Sequence, residues 1–217
     1  MPELPEGFGL PIAICLGGLL VLWYLAGNEL MRRRAHRLAQ WTKRVLDPLG
    51  GKQTIQWLGG QAFRLELTDP PAPFSSLTMT GLVESWDVPM VWPWNRLHGR
   101  RDMILLQATL QTRPRWGFEV YRPGTLLAGD SRHLARQEGW SETSLDELSI
   151  AAAGDPPRLL ATELLDVVSS ERRRLVRLAV RRQGPHLTLA LNVPDPKRFD
   201  ADDARRLAQR LAERLGA

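Results

Sequence analysis

The sequence predicts an α+β protein: an N-terminal transmembrane helix followed by an antiparallel sheet packed with two or more helices. Three observations carry this. Residues Phe8 to Gly27 form one uncharged, mostly apolar run, followed at once by an arginine cluster. Beyond residue 50 the apolar side chains recur at period two in a series of short segments bounded by Gly, Pro and Asp. Between and after those segments lie stretches with apolar residues at helical spacing, and strands in runs with helices segregated from them indicate α+β.

The apolar run is read as an uncleaved anchor. At 1.5 Å per residue, twenty helical residues cover the roughly 30 Å hydrocarbon core of a bilayer. A cleaved signal peptide needs positive charge before the core and a small-x-small site after it. Here Glu3 and Glu6 precede the run, and the basic residues Arg32, Arg33, Arg34 and Arg37 follow it. The basic collar places the N-terminus outside and the C-terminal domain in the cytoplasm of a single-pass cell-membrane protein. Three segments follow: 1–31 as the transmembrane anchor, 32–50 as a basic juxtamembrane helix, and 51–217 as one cytosolic α+β domain.

Leu38, Trp41, Val45 and Leu46 recur at helical spacing, so the membrane helix continues as an amphipathic extension ending at Asp47-Pro48-Leu49-Gly50-Gly51. From Thr54 the period becomes two. Phe63, Leu65 and Leu67 form one strand pattern, Leu77, Met79 and Val83 a second, and Ile104, Leu106, Ala108 and Leu110 a third. Trp116, Phe118 and Val120 follow the short Arg113-Pro114-Arg115 connection, which predicts a hairpin with the third strand. Between Pro123 and Pro156 the periodicity fades, leaving a short helix expected over Ser144–Ile150 from a Ser144–Glu147 capping box.

Asp155-Pro156-Pro157 reads as a helix start, with Leu160, Leu164, Val167 and Val168 on one face as far as about Glu171. Val176, Leu178 and Val180, a Gln183-Gly184-Pro185 turn, and Leu187, Leu189, Leu191 and Val193 predict a hairpin, with Thr188 and Ala190 on its less buried face. The chain then predicts a helix capped by Asp200, with Asp202 and Asp203 in its first turn and a stripe of Ala204, Leu207, Ala208, Leu211 and Leu215.

Composition narrows the function classes. The single cysteine, Cys15, lies inside the apolar run, so neither intrachain disulfides nor a multi-cysteine metal site is expected. The chain has 29 Lys plus Arg against 24 Asp plus Glu, and six of the basic residues fall between Met31 and Arg44 with no acid among them. Juxtamembrane basic residues gain about 1 kcal/mol each near an anionic leaflet. The four histidines are scattered, and neither a metalloprotease, a Walker nor a dinucleotide-binding pattern occurs.

Three segments are candidates for contact. In Trp86-Asp-Val-Pro-Met-Val-Trp-Pro-Trp-Asn-Arg96, the rings of Trp86, Trp92 and Trp94 suit a membrane interface or a partner, or a satellite core over one end of the sheet. Arg32, Arg33 and Arg34 belong with them as membrane or partner contacts. In Arg96-Leu-His-Gly-Arg-Arg-Asp102, the guanidiniums of Arg96, Arg100 and Arg101 suit an anion or an acidic partner, or a local ion-pair network with Asp102. In Arg172–Arg182, Arg173, Arg177 and Arg181 project from one strand face, which reads as solvated or paired with acids on neighbouring strands, or as a surface for an acidic partner or lipid. No aromatic interleaving marks this segment as a nucleic-acid groove.

The resulting expectation is a membrane-tethered cytosolic interaction module, non-catalytic and without a cofactor, serving as an accessory or scaffolding subunit of a membrane assembly. Its expected partners are anionic membrane lipids and another membrane protein, with no nucleic acid. The alternative is an enzyme or carrier for an anionic or lipid-like substrate, with Arg96, Arg100 and Arg101 as a clamp and His98 as an acid or base; a deep pocket gathering His98 and these arginines with an adjacent carboxylate would favour it, and a flat or convex surface there would favour the interaction module.

Overall fold

The computed structural model describes residues 9–86, 88–89, 91–97, 101–125, 127–193 and 201–216. Helix α1 (Gly9–Leu46) runs unbroken for 38 residues, about 57 Å at the helical rise, straight across the expected boundary at 31/32. Its two halves have opposite environments. Leu10, Leu16, Leu19, Leu22 and Leu25 are exposed, whereas Met31, Ala35, Leu38, Trp41, Thr42, Val45 and Leu46 are buried at steps of three and four, forming one stripe. The helix stops where expected. Asp47-Pro48-Leu49 forms a 3-10 turn, then Gly50 and Gly51 take φ of 70° and 82°. A Cβ on Gly51 would stand 2.5 Å from the Thr68 carbonyl oxygen, so this reversal needs glycine twice over.

The strands are β1 (Lys52–Trp57), β2 (Ala62–Thr68), β3 (Phe74–Leu82), β4 (Met103–Leu110), β5 (Phe118–Tyr121), β6 (Ser141–Leu145), β7 (Leu148–Ala152), β8 (Leu175–Val180) and β9 (Leu187–Asn192). They form one nine-stranded sheet in the order β1-β2-β3-β4-β9-β8-β5-β7-β6, antiparallel at every junction. One register row crosses eight of them: Ile55, Leu65, Met79, Leu106, Leu189, Leu178, Val120 and Ile150. While Ile55 on the edge strand is exposed, from Leu65 to Ile150 that row is the spine of the core. Helices α1, α5 (Ala201–Gly216) and α4 (Asp155–Val167) cover it side by side, α1 over β2 and β3, α5 touching both other helices, and α4 over β5 and β7. A smaller helix, α3 (Ala128–Gln137), packs Ala128 and Ala135 with Tyr121 and Ala151. The fold is thus α+β, with a long apolar N-terminal helix and an antiparallel sheet packed with helices.

Several local expectations need correction. The pattern at 104–110 and that at 118–121 are both strands, but they do not pair: β4 lies between β3 and β9, and β5 between β8 and β7. The β8–β9 hairpin separates them, a long-range insertion to which local periodicity is blind. Trp116 lies ahead of the strand and is exposed. Ser144–Ile150 is not a helix. Leu145 and Leu148 close a hairpin between β6 and β7, with Asp146 at φ 53°, a left-handed position that Asp tolerates better than most residues. Helix α3 falls where no periodicity was visible, because its buried face is made of the small residues Ala128, Ser131 and Ala135.

The β8–β9 hairpin forms as predicted, but burial does not alternate along β9. Thr188 and Ala190 are buried along with Leu187, Leu189 and Leu191. Ala190 is flanked in register by Leu105 and Arg177, larger side chains that leave little room for solvent above it. Helix α4 stops at Val167, and a separate 3-10 turn spans Ser169–Glu171. The C-terminal stripe from Ala204 to Leu215 is buried as expected; Asp200 lies outside the described residues.

Candidate functional site

Of the candidate contact residues, Arg34, Trp86, Trp92, Trp94 and Arg101 lie towards one end of the sheet. The end of β3, the start of β4 and the end of β9 share it, since Leu82 pairs with Met103 and Met103 with Asn192. This end lies beside the middle of α1: a Cβ on Gly60, in the β1–β2 turn, would stand 3.8 Å from Asn28 Oδ1. Between β3 and β4 the chain makes an excursion from Glu84 to Asp102. Its base is closed by the Glu84 N–H donating to Asp102 Oδ1 at 2.9 Å, with Arg34 Nη1 3.9 Å from Asp102 Oδ2.

From that base the excursion climbs α1 towards its apolar half. The Trp86 N–H meets Met31 Sδ at 3.1 Å, and Trp23 Nε1 donates to the Trp86 carbonyl at 3.2 Å. The rings of Trp86 and Trp92 meet at a 45° tilt with centroids 4.7 Å apart, and the Arg34 guanidinium lies 4.8 Å from the centre of the Trp86 ring, a cation–π contact. The short helix α2 (Val91–Leu97) continues the excursion. Trp86 and Trp92 are half-buried, whereas Trp94 is 64% exposed. The tryptophans therefore divide into a tilted pair, held to α1 through Trp86, and a third, largely exposed ring.

Among the basic candidates, Arg34 joins this cluster, Arg33 pairs with Glu29 one turn earlier at 2.7 Å, and Arg32 lies on the exposed face of α1. Arg96 stands on α2. His98 and Arg100 lie outside the described residues. Arg101 lines a cavity of about 420 Å³ at this end of the sheet, where Glu84, Asn95, Arg122 and Asn192 supply polar groups and Leu82, Met103, Leu127 and Val176 an apolar floor. Glu84 and Asn95 are both nearly enclosed, at 6% and 5% exposure. Arg122 is fixed by donating to the carbonyls of Leu175, Arg172 and Arg173 and by an ion pair with Glu147. That pair holds the Glu147 carboxyl below its ordinary range.

The arginines of 172–182 serve a different purpose. Glu119 on β5 is fully buried and receives Arg177 from β8, Arg181 just beyond its end and the Ser131 hydroxyl from α3 at 2.9 Å. This is the paired-acid reading of that face, though Arg173 sits in the turn ahead of β8 and takes no place in the row. Nearby, burial pushes the Tyr121 hydroxyl up, with Glu142 adding to the effect. The hydroxyl makes no hydrogen bond of standard geometry among the described residues, yet its interaction with Glu142 is the largest influence drawing that carboxyl below its ordinary range. Among the described residues no group of three or more His, Cys, Asp or Glu side chains is placed to hold a metal ion.

The sequence pattern singled out Arg34, Arg101 and the tryptophans as candidates, but not Glu84, Asn95 and Arg122 as their neighbours or Glu119 as the centre of the arginine row. Asp102 was legible only as a local partner for the adjacent arginines; it reaches back 18 residues to the Glu84 backbone. No known protein family matches this chain, and no curated protein is significantly similar to it.

Proposed function

We propose that this chain is a single-pass membrane protein whose cytosolic domain is an interaction module, an accessory or scaffolding subunit of a membrane assembly. One observation carries the reading: α1 is an exposed apolar rod in its first half and a core element of the domain in its second. An 18-residue window within it has a mean hydropathy of 2.1, and none of that window is buried. Left in water, so large an apolar surface would be an aggregation site, whereas a bilayer solvates it. Because the same helix is packed on β2 and β3, the domain is attached rigidly to the span. Arg32, Arg33, Arg34 and Arg37 favour the cytoplasmic side for the domain and attraction to anionic lipids.

The test has two parts. A reporter fused after Ala217 should be cytoplasmic, and the chain should resist alkaline extraction from membranes. Purified in mild detergent from its own membrane, it should travel with another membrane protein in fixed stoichiometry. An external C-terminus overturns the topology, and recovery as a solitary chain overturns the scaffolding role.

A second reading, a carrier or enzyme for an anionic or lipid-like substrate, is favoured by the cavity beside Arg101. It joins arginines, the adjacent Glu84 carboxylate and an apolar floor, as a ligand with a charged head and an apolar body requires.

A further inference from the structure

We propose that the excursion between β3 and β4 is a second membrane contact, with Trp94 and Leu97 of α2 entering the headgroup layer beside the span. The inference rests on the reading of α1 as a membrane helix and adds to it a point of attachment on the domain itself. On helix α2, Trp94 is 64% exposed and Leu97 82%, while Asn95 is buried at 5% exposure and turns to the cavity. Trp94 and Leu97 are three residues apart on a helix, hence on one face. Two large apolar side chains presented together on one face make an exposed patch of the kind that marks a membrane or partner contact.

Position points to the membrane. The base of the excursion is level with Arg34 in the basic collar, and Trp86 reaches Met31 and then Trp23, which belongs to the apolar run itself. Met31 stands eight residues beyond Trp23, about 12 Å along the axis, more than the roughly 5–7 Å of one interfacial layer, so the contacts of Trp86 run from the edge of the apolar span to beyond the headgroups. If Trp23 lies at the end of the hydrocarbon, the segment hydrogen-bonded to it lies at headgroup depth. Leu58, exposed in the β1–β2 turn beside Asn28, extends the apolar surface of the same end. Tryptophan is favoured at this depth because its ring is apolar while its N–H finds acceptors among headgroups. Arg34, held against Trp86, adds positive charge for anionic headgroups.

The experiment uses the full chain in phosphatidylcholine/phosphatidylglycerol vesicles with Cys15→Ser and one nitroxide at a time, through Leu97→Cys, Leu20→Cys in the span, or Leu159→Cys. Leu159 is 67% exposed near the start of α4, which follows Ala152 at the opposite end of the sheet. Collision with oxygen is compared with collision with a water-soluble nickel complex. The Leu97 label should be several-fold less accessible to nickel than the Leu159 label, and lie shallower than the Leu20 label. A Leu97 label as open to nickel as the Leu159 label, with Leu20 buried in lipid, overturns the second contact and leaves the tether standing. A Leu20 label open to nickel overturns the tether and this inference with it. All three positions are exposed side chains, so the substitutions leave the core intact.

Discussion

Arg177 holds Glu119 with a two-pronged contact across β8 and β5, Nε 2.7 Å from Oε2 and Nη2 2.7 Å from Oε1. Arg181 adds Nη2 at 2.7 Å from Oε1, and the carboxylate is wholly enclosed. A buried charge removed from water is tolerated when its lone pairs are met by charge-assisted hydrogen bonds, as they are here. The strand face that carries arginines in sequence is therefore an internal lock between β8, β5 and α3.

Breaking that lock from one side should be costly. Glu119→Gln leaves Arg177 without its counter-charge, and chemical unfolding in detergent should show a loss of about 3–5 kcal/mol. A double substitution, Glu119→Leu with Arg177→Met, removes both buried charges and should recover most of that loss. A single variant as stable as the parent would show the network to be solvated in solution.

The core row makes a second, purely steric expectation. Leu189→Ala at its centre should cost about 2–5 kcal/mol through lost burial and the cavity left behind. Gly81→Ala should also destabilise, by about 1–3 kcal/mol, because the added methyl collides with the Phe63 ring and stands 3.1 Å from Leu38 Cδ2, where α1 presses on the sheet. Leu159→Ala, on an exposed side chain, should stay within about 0.5 kcal/mol. Equal effects at Leu189 and Leu159 would contradict the register described.

These variants also mark what was legible in the sequence. Period two found the strands through Leu65, Leu106, Leu178 and Leu189, and helical spacing found Leu38, Trp41 and Val45, because one-sided burial imprints itself locally. Which strands pair is set by contacts far apart in the chain, so the separation of β4 from β5 left no local trace. The Ser144–Glu147 capping pattern misled for a related reason: a Ser and a Glu three apart occur in turns as well as helices, and the left-handed Asp146 decides between them. At the candidate site, Trp23 to Trp86 and Arg34 to Asp102 are tertiary contacts with no sequence signature.

The titratable pair beside α3 sets an expectation for pH. Glu142 has its folded pKa lowered, chiefly by Tyr121, so its contribution is full above the ordinary carboxyl value of 4.5 and is lost as pH falls through the folded value. Glu142→Gln should flatten part of the acid limb of a stability profile. Tyr121 has its folded pKa raised, chiefly by burial, so stability is unaffected below the ordinary phenol value of 10.0 and falls as pH rises towards the folded one. Tyr121→Phe should remove that alkaline loss. Thermal midpoints measured across pH check both signs, and a profile unchanged in both variants would show the pair to be uncoupled from folding.

The cavity beside Arg101 separates the two readings of function. If the domain carries an anionic amphiphile there, the purified chain should bind phosphatidylglycerol or a fatty acid in place of neutral lipid, and Arg101→Ala should weaken that binding about tenfold or more. A charge-assisted hydrogen bond contributes about 1.5–3 kcal/mol, and 1.4 kcal/mol corresponds to a factor of ten. Folding should change little, by about 0–1 kcal/mol, because Arg101 lies at the cavity rim and is only partly buried. If Arg101→Ala instead weakens co-purification of a membrane partner and leaves lipid binding unaltered, the arginine belongs to a protein-docking surface and the scaffolding reading gains. If the substitution unfolds the domain, Arg101 is part of the structural closure around Glu84 and Asp102, and neither binding role for it stands.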